Sequence, residues 1–216
     1  MNRAVTIRAD IAVLMFGETG VPRPLTGLRT VRIVAPGDVD AAIAGVRRVV
    51  VVGVDADLAT VLTRLLRAGR LDVEVGYAPR RRTAATRVYR VPAGRRAARR
   101  AQRGSARRVP LIRDETGTAI VGAARWRAPD GAQLLRGEAV VDDAVLFDGD
   151  VGEVRIEPTA TLPGLRARAS GGRWLAGRAA QLGTTGVAVV RDGVRAPRAA
   201  RRSTFYRNTE GWLLVR

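Results

Sequence analysis

Apolar residues in the first third of the chain follow two alternating patterns. Uninterrupted apolar runs, such as residues 11–16 and the valines at 49–52, are typical of strands buried on both faces of a parallel sheet. Between these runs, apolar residues recur every three or four positions, as on a helix with one buried face. The predicted strands cover residues 11–16, 30–34, 49–52 and 71–75, and the predicted helices cover residues 38–46 and 58–69. This alternation predicts an α/β fold, a parallel sheet with crossover helices.

After residue 108 the pattern changes to short apolar stretches separated by Gly, Pro and Asp. These stretches include residues 119–121, 139–141, 144–147, 154–156, 187–190 and 212–215. Frequent turn signals between short strands are typical of an all-β sandwich or small barrel. We therefore expect an α/β nucleotide-binding-like domain over residues 1–108, followed by a β-sandwich-like domain over residues 109–216.

The first domain is predicted to end in a strongly basic segment, residues 80–108, which holds twelve arginines and no acidic residue. The chain of 216 residues carries a net charge of +18, so the remainder carries only +6 (18 − 12). Residues 93–104 combine good helix formers with few apolar positions, which predicts an exposed helix. Its candidate anion-contacting residues are Arg95, Arg96, Arg99, Arg100 and Arg103.

Three interpretations of the basic segment remain open. It could lie on an anionic membrane surface, where each charge contributes about 1 kcal/mol, or it could contact the phosphates of nucleic acid. Every basic residue of the chain is arginine, and Ala, Gly and Val are abundant, so a GC-rich coding bias would also account for a merely solvated basic face. Tyr89 is the only aromatic residue in the segment, which argues against the base stacking that single-stranded nucleic acid requires.

Missing residue types narrow the chemistry of the chain. It contains no Cys, His or Lys, which excludes thiolate and imidazole metal sites, disulfides, Ser–His nucleophile pairs and a Walker-type lysine. Catalysis would have to use carboxylates, arginines, hydroxyls, backbone amides or a carboxylate-bound Mg²⁺. The acidic clusters at residues 142–143 and 148–150 fit β-turns as well as they fit a metal site, so they assign no metal ligand.

The sequence also bears on location. Arg3 and Arg8 precede an apolar run that is too short for a signal-peptide core, and nothing approaches the roughly 20 apolar residues of a membrane span. We therefore predict a cytoplasmic protein whose membrane contact, if any, is peripheral.

The end of the valine strand is the clearest candidate site. Gly53 follows the strand directly, and a helix begins a few residues later, so backbone amides would face a ligand without interference from a side chain. This arrangement is typical of phosphate binding at a strand end. An ordinary strand-to-helix turn, with Asp55 or Asp57 capping the helix, explains the same residues.

Residues 53–57, Gly-Val-Asp-Ala-Asp, resemble the Gly-Gly-Asp-Gly-Thr turn of the diacylglycerol kinase and sphingosine kinase family, to which NAD kinases are more distantly related. Gly53 and Asp55 match that motif. Residues 77–92 are similar to the family's next loop through Pro79, Thr83, Arg87 and Pro92. The Asp-Gly pair at residues 192–193 matches the family's late Asp-Gly-Glu motif, with Val194 in place of the glutamate.

The resemblance implies a lipid kinase that binds ATP and Mg²⁺ and transfers the γ-phosphoryl group to a lipid hydroxyl. It implies that Gly53, Asp55 and Thr83 contact the nucleotide and that Asp192 is the remaining acid near the transfer site. Val194 cannot accept a proton, and Val54 and Ala56 replace motif glycines. Arg81 and Arg82, with Arg80 before them, are candidates to bind phosphate in compensation.

Three functions are therefore expected from the sequence. The first is a lipid kinase of this kind, if the chain is active. The second is a catalytically lapsed descendant that acts as a binding or regulatory module. The third, which depends on charge alone, is a nucleic-acid-binding protein.

Overall fold

The computed structural model describes residues 10–18 and 20–216 and divides the chain into two compact units. The first unit contains the chain up to Val109 together with Glu210–Arg216, and the second contains Pro110–Thr209. Arg3 and Arg8 lie outside the described residues. The fold is an α/β unit with a parallel sheet, combined with an antiparallel β-sandwich-like unit, as predicted.

A six-stranded sheet forms the centre of the first unit. Its strands are β1 (Ile11–Phe16), β2 (Arg29–Ile33), β3 (Arg48–Val52), β4 (Glu74–Tyr77), β5 (Ala106–Val109) and β17 (Trp212–Val215), in the order β2-β1-β3-β4-β17-β5. The helices are α1 (Pro36–Ile43), α2 (Asp55–Arg67), α3 (Ala84–Val88) and α4 (Gly94–Arg103), with a short 3-10 helix at Arg23–Leu25. All pairs are parallel except β17 with β5.

The hydrophobic pattern explains the centre of this sheet. All five residues of β3 are buried, as expected of a strand covered on both faces. α2 buries its leucine and valine face, including Leu58, Leu62 and Leu65. β4 begins at Glu74, three residues later than predicted. Leu71 and Val73, which suggested an earlier start, are buried in the preceding turn.

The last strand does not belong where the sequence pattern placed it. β17 pairs with β4 and β5 in the first unit, so its assignment to the second domain is corrected. Trp212 packs edge-on against Tyr89, with ring centroids 5.2 Å apart. A short apolar strand fits either kind of sheet. The partners of β17 lie more than a hundred residues earlier in the sequence, and no local pattern identifies them.

α4 forms where the sequence predicts a helix, but it is not exposed on all sides. Ala97, Ala98 and Ala101 are buried, and a Cβ on Gly76 of β4 would collide with Ala101. Alanine therefore provides a flat helix face, and glycine in the strand allows that face to approach closely. The prediction of an exposed helix is wrong for this face and holds for the arginines.

Arg48 anchors the end of the same helix. Its side chain is only 7% exposed, lies 2.5 Å from a Glu74 carboxylate oxygen, and donates hydrogen bonds to the carbonyls of Ala101, Gln102 and Gly104. These carbonyls include the last groups of α4, which lack partners within the helix. A buried cation thus satisfies the helix end and is neutralised by a neighbouring carboxylate.

The second unit consists of strands. They are β6 (Ile112–Asp114), β7 (Ala119–Ile120), β8 (Ala124–Arg127), β9 (Leu135–Val141), β10 (Ala144–Val151), β11 (Glu153–Pro158), β12 (Leu165–Ala169), β13 (Leu175–Gly177), β14 (Ala179–Arg191), β15 (Val194–Arg195) and β16 (Ala200–Arg207). The main order is β13-β12-β11-β8-β14-β16-β6-β7, with β9 and β10 attached through β14. Trp126 lies in the core beside Phe205 and donates a hydrogen bond to Ser203.

Across residues 10–18 and 20–216, no helix combines the length and the apolar character needed to cross a bilayer.

Candidate functional site

A cleft of about 1060 Å³ opens in the first unit at the carboxyl ends of β1, β3 and β4. Ligands of open parallel sheets bind at this edge. Its lining comprises Phe16, Gly17, Glu18, Gly20, Pro22, Val52, Gly53, Val54, Asp57, Ala78, Pro79, Arg80, Arg81, Thr83, Gly94 and Arg95. The cleft thus combines apolar walls with arginines, the usual character of a site for a ligand with an apolar and an anionic part.

Gly53 lines this cleft, but another side chain fills the space beside its Cα. The Asp57 carboxylate accepts a 2.7 Å hydrogen bond from the Val54 amide and covers Gly53 so closely that a Cβ there would overlap it. Burial raises the pKa of Asp57, against the opposing effect of the Val54 hydrogen bond. Because a carboxylate already caps α2 at this point, a phosphate against the Gly53 backbone would meet negative charge.

Asp55, the second match to the kinase motif, holds neighbouring elements together. One of its oxygens accepts a 2.8 Å hydrogen bond from the Tyr77 hydroxyl, and the other accepts a 3.1 Å bond from the Ala85 amide. Burial raises the pKa of Tyr77, and the nearby Asp55 raises it further, so Tyr77 remains a donor. Asp55 therefore joins the end of β4 to the start of α3 beneath the cleft.

Thr83 lines the cleft as predicted and also begins α3. Its hydroxyl accepts the Thr86 amide, while the Thr86 hydroxyl accepts the Thr83 amide, forming a reciprocal cap. The sequence analysis missed α3, because five residues are too few for a helical pattern to appear. The Thr83-to-Thr86 spacing was the available signal.

The neighbouring arginines diverge. Arg80 and Arg81 line the cleft, whereas Arg82 lines a separate groove with α3 and α4. The structure therefore brings Arg81 to the candidate site and takes Arg82 away from it.

Arg95 joins Arg80 and Arg81 in the cleft, an arrangement the sequence analysis missed because it assigned Arg95 to the surface. The start of α4 lies beside these arginines: Gly94 lines the cleft, and its amide donates to the Pro79 carbonyl. The first turn of α4 contains no acidic residue, and Ala93 offers no capping side chain. Three guanidinium groups and the positive end of a helix dipole thus define an anion-attracting end of the cleft.

Asp192, the predicted catalytic acid, belongs to the second unit, and backbone amides bind its carboxylate. Its two oxygens accept hydrogen bonds from the amides of Val121, Gly122 and Ala123, at 2.7–3.0 Å. Its own backbone has φ of 47°, the left-handed turn conformation. These contacts make Asp192 an anchor for the 121–123 loop, and its catalytic role stays a prediction. Val194 is 59% exposed and supplies no proton acceptor.

Acidic side chains do not form a metal cage in the part of the chain that the structure describes: no three Asp or Glu residues converge there. Asp142 instead accepts the amides of Arg178 and Ala179, so its position in a turn has a structural explanation. The carboxylates in the cleft are those of Glu18 and Asp57.

Neither the protein-family models nor the curated proteins include a match to this sequence. Solved structures do match. A diacylglycerol kinase from Bacillus anthracis str. Sterne superposes with a TM-score of 0.72 at 11% identity, over 96% of each chain. An NAD kinase from Archaeoglobus fulgidus, solved in complex with ATP, superposes with a TM-score of 0.66 at 10% identity, over 95% of this chain and 93% of that one. The chain therefore has the fold of these kinases, which confirms the predicted resemblance at the level of the fold.

Proposed function

We propose that the protein is a kinase-fold nucleotide-binding module that holds ATP in the cleft at the strand ends. The observation that carries this proposal is that one cleft is lined both by apolar side chains and by three arginines. ATP has a part that matches each, a flat apolar base and a polyanionic triphosphate. The likeness of the fold to an NAD kinase solved with ATP supports the choice of nucleotide.

The arrangement of charge sets the direction of the bound nucleotide in this proposal. Arg80, Arg81 and Arg95 would bind the phosphates together with the start of α4, because guanidinium groups bind phosphate oxygens in pairs. Phe16, Val52 and Val54 would contact the base. The phosphates would lie away from Gly53, whose corner the Asp57 carboxylate fills. The phosphate end thus differs from the one that the motif resemblance implies.

The cleft offers few ligands for Mg²⁺. Mg²⁺ commonly binds through one or two carboxylates plus the phosphates of a nucleotide. Asp57 lies beside Gly53, away from the proposed position of the phosphates, and one of its oxygens is already committed to the Val54 amide. The other carboxylate of the cleft is that of Glu18, so the cleft would supply Mg²⁺ with at most one ligand near the phosphates, and we assign the ion no position.

Transfer of phosphate to a lipid hydroxyl is the reaction that the resemblance implies, and we propose that this chain performs it slowly or not at all. Asp192 is held by three amides, and Val194 stands where a proton acceptor would be needed. General-base catalysis typically contributes about 10²–10⁴-fold to a rate, so its loss would leave a slow reaction.

We place the nucleotide-binding function in the cytoplasm, in line with the sequence-based prediction.

Thermal unfolding with ATP and Mg²⁺ tests the binding proposal. ATP should raise the unfolding temperature in proportion to the logarithm of its concentration. Arg80→Gln combined with Arg81→Gln should reduce this shift strongly. Arg99→Gln combined with Arg103→Gln removes the same charge outside the cleft and should preserve it. No shift in the parent protein, or equal loss in both variants, would refute the proposal.

A radiolabelled-ATP assay with diacylglycerol in mixed micelles tests the catalytic part separately. We expect nucleotide binding without rapid transfer of label to lipid. Rapid transfer would show that another group replaces the missing base and that the protein is an active lipid kinase.

A further inference from the structure

The arginines of the basic segment 80–108 line different cavities on the two sides of α4. α4 separates two cavities, with Arg96 and Arg100 on one flank and Arg95, Arg99 and Arg103 on the other. The buried face of Ala97, Ala98 and Ala101 lies between these flanks. Each flank consists of arginines spaced four residues apart, which places them one above another along the helix.

The flank with Arg96 and Arg100 forms part of a groove of about 600 Å³ between α3 and α4. Three more arginines complete it: Arg82 before α3, Arg87 within α3 and Arg90 after it. Arg90 has φ of 53°, a backbone conformation that is unfavourable for a residue with a side chain. Arg90 lies in the turn between α3 and α4, and residues of both helices line the groove.

No carboxylate lies among the residues that line this groove, and none of its five arginines forms an ion pair with any described residue. Like charges around one concavity repel each other, and a bound polyanion would relieve that repulsion. Guanidinium groups are also the side chains best suited to bind phosphate with two parallel hydrogen bonds. The groove therefore has the chemistry of a multi-phosphate site.

We infer that this groove is a second anion site, distinct from the nucleotide cleft, and that it binds a ligand carrying two or more phosphate groups. Among the described residues, none lines both cavities. Several arginines around one concavity can contact the same ligand at once. The groove therefore suits a compact polyphosphate or a phosphorylated headgroup better than it suits a ligand whose single charges are spread over a flat surface. Stacking on bases plays no part, because Tyr89, the one ring in the segment, is buried against Trp212.

Binding of inorganic tripolyphosphate to the full chain, measured by calorimetry, tests this inference. Arg96→Gln combined with Arg100→Gln should weaken binding by about tenfold or more, because each arginine contributes charge-assisted hydrogen bonds. The matched control is Arg99→Gln combined with Arg103→Gln, which makes the same charge change on the opposite flank of α4. The control should weaken binding by no more than about threefold, because Arg99 and Arg103 adjoin Arg96 and Arg100 on the helix but do not line the groove, so their attraction is screened by solvent.

A second control separates this site from the proposed nucleotide site. Arg80→Gln combined with Arg81→Gln should remove only the tripolyphosphate that the cleft itself binds and leave one binding site intact, whether or not the nucleotide proposal holds. Loss of binding in that variant alone would place tripolyphosphate in the cleft and overturn the inference. Equal weakening by both α4 variants would overturn it too, since it would show general surface potential. None of the three variants should have a lowered unfolding temperature.

Vesicles and duplex DNA identify the source of the phosphate. If the ligand is a lipid headgroup, phosphatidylcholine vesicles containing phosphatidylinositol bisphosphate should bind, tripolyphosphate should displace them, and the Arg96–Arg100 variant alone should lose binding. If the ligand is soluble, tripolyphosphate should bind and these vesicles should not. Equal binding to phosphatidylglycerol vesicles of the same charge would show a non-specific membrane surface and contradict the inference. Tighter binding to duplex DNA, reduced equally by both variants, would indicate a nucleic-acid surface and contradict it as well.

Discussion

Where the structure describes the chain, eight of the fifteen arginines in the second unit have a carboxylate or aromatic partner, whereas one of the twelve in the segment 80–108 does. Glu153 binds Arg125 and Arg127, and Glu157 binds Arg155 and Arg166. Arg113 lies over the ring of Tyr206 in the same unit. In the segment 80–108, as far as the structure describes it, Arg108 alone forms an ion pair.

This difference shows how to interpret an arginine-rich composition. A GC-rich coding bias would account for the number of arginines, but it would not account for their distribution between paired and unpaired positions. Paired arginines stabilise the strands that carry them, and their charge is locally cancelled. Unpaired arginines contribute little to stability, and their concentration around two cavities is the observation on which both proposed binding sites depend.

The largest effect should come from the most deeply buried paired arginine. Arg48→Met would leave Glu74 without its close partner and three carbonyls at the end of α4 without donors. Breaking a buried ion pair costs about 3–5 kcal/mol, so urea unfolding should show a loss of this order. Arg47→Met is the control, because Arg47 contacts the same Glu74 but is 58% exposed. It should cost less than about 1 kcal/mol. Equal losses would mean that Arg48 does not anchor the helix.

A smaller effect should come from the paired arginines of the second unit. Burial acts to raise the pKa of Glu157, but hydrogen bonds from Arg166 and Arg155 outweigh it and place the pKa below its ordinary value. A lowered pKa means that the ionised form stabilises the fold at neutral pH and that this stability is lost as pH falls through the folded-state pKa. Glu157→Gln should therefore cost about 2 kcal/mol at neutral pH. Urea unfolding at stepped pH should show the difference shrinking below about pH 4. A pH-independent difference would contradict this assignment.

The smallest effect on stability should come from the unpaired arginines. Arg96→Gln combined with Arg100→Gln should change the unfolding free energy by no more than about 0.5 kcal/mol. At low ionic strength the change should be stabilising, because repulsion in the groove is relieved, and added salt should abolish it. Unfolding measured with and without salt checks the sign. A large destabilisation would show that these arginines have structural partners, and the contrast between the two regions would disappear.

Much of the α/β unit could be predicted from its hydrophobic pattern. β1, β3 and α2 are long or strongly apolar, so local sequence determines both their type and their buried faces. α4 was predicted as a helix, but its buried side was not, since three alanines carry too little apolar area to signal packing. That packing also requires glycine at residue 76, in a different element.

The candidate site was predictable in place but not in detail. Gly53 marks the strand end correctly, and Thr83 and Arg81 share its cleft. The filling of the Gly53 corner by Asp57 and the anchoring of Asp55 by Tyr77 depend on tertiary contacts that the spacing of residues does not encode. Arg81 and Arg82 are neighbours in sequence and line different cavities, a separation that only the fold reveals.

The route of β17 has a consequence for how the protein is made. β4 and β5 are joined through a strand that the ribosome produces only after the whole of the second unit. During synthesis, β5 therefore has no sheet partner until the second unit has been produced and has folded. The nascent α/β half would expose the unpaired edge of β4 throughout this interval. An exposed strand edge can pair with other chains, so this intermediate would be a substrate for chaperones.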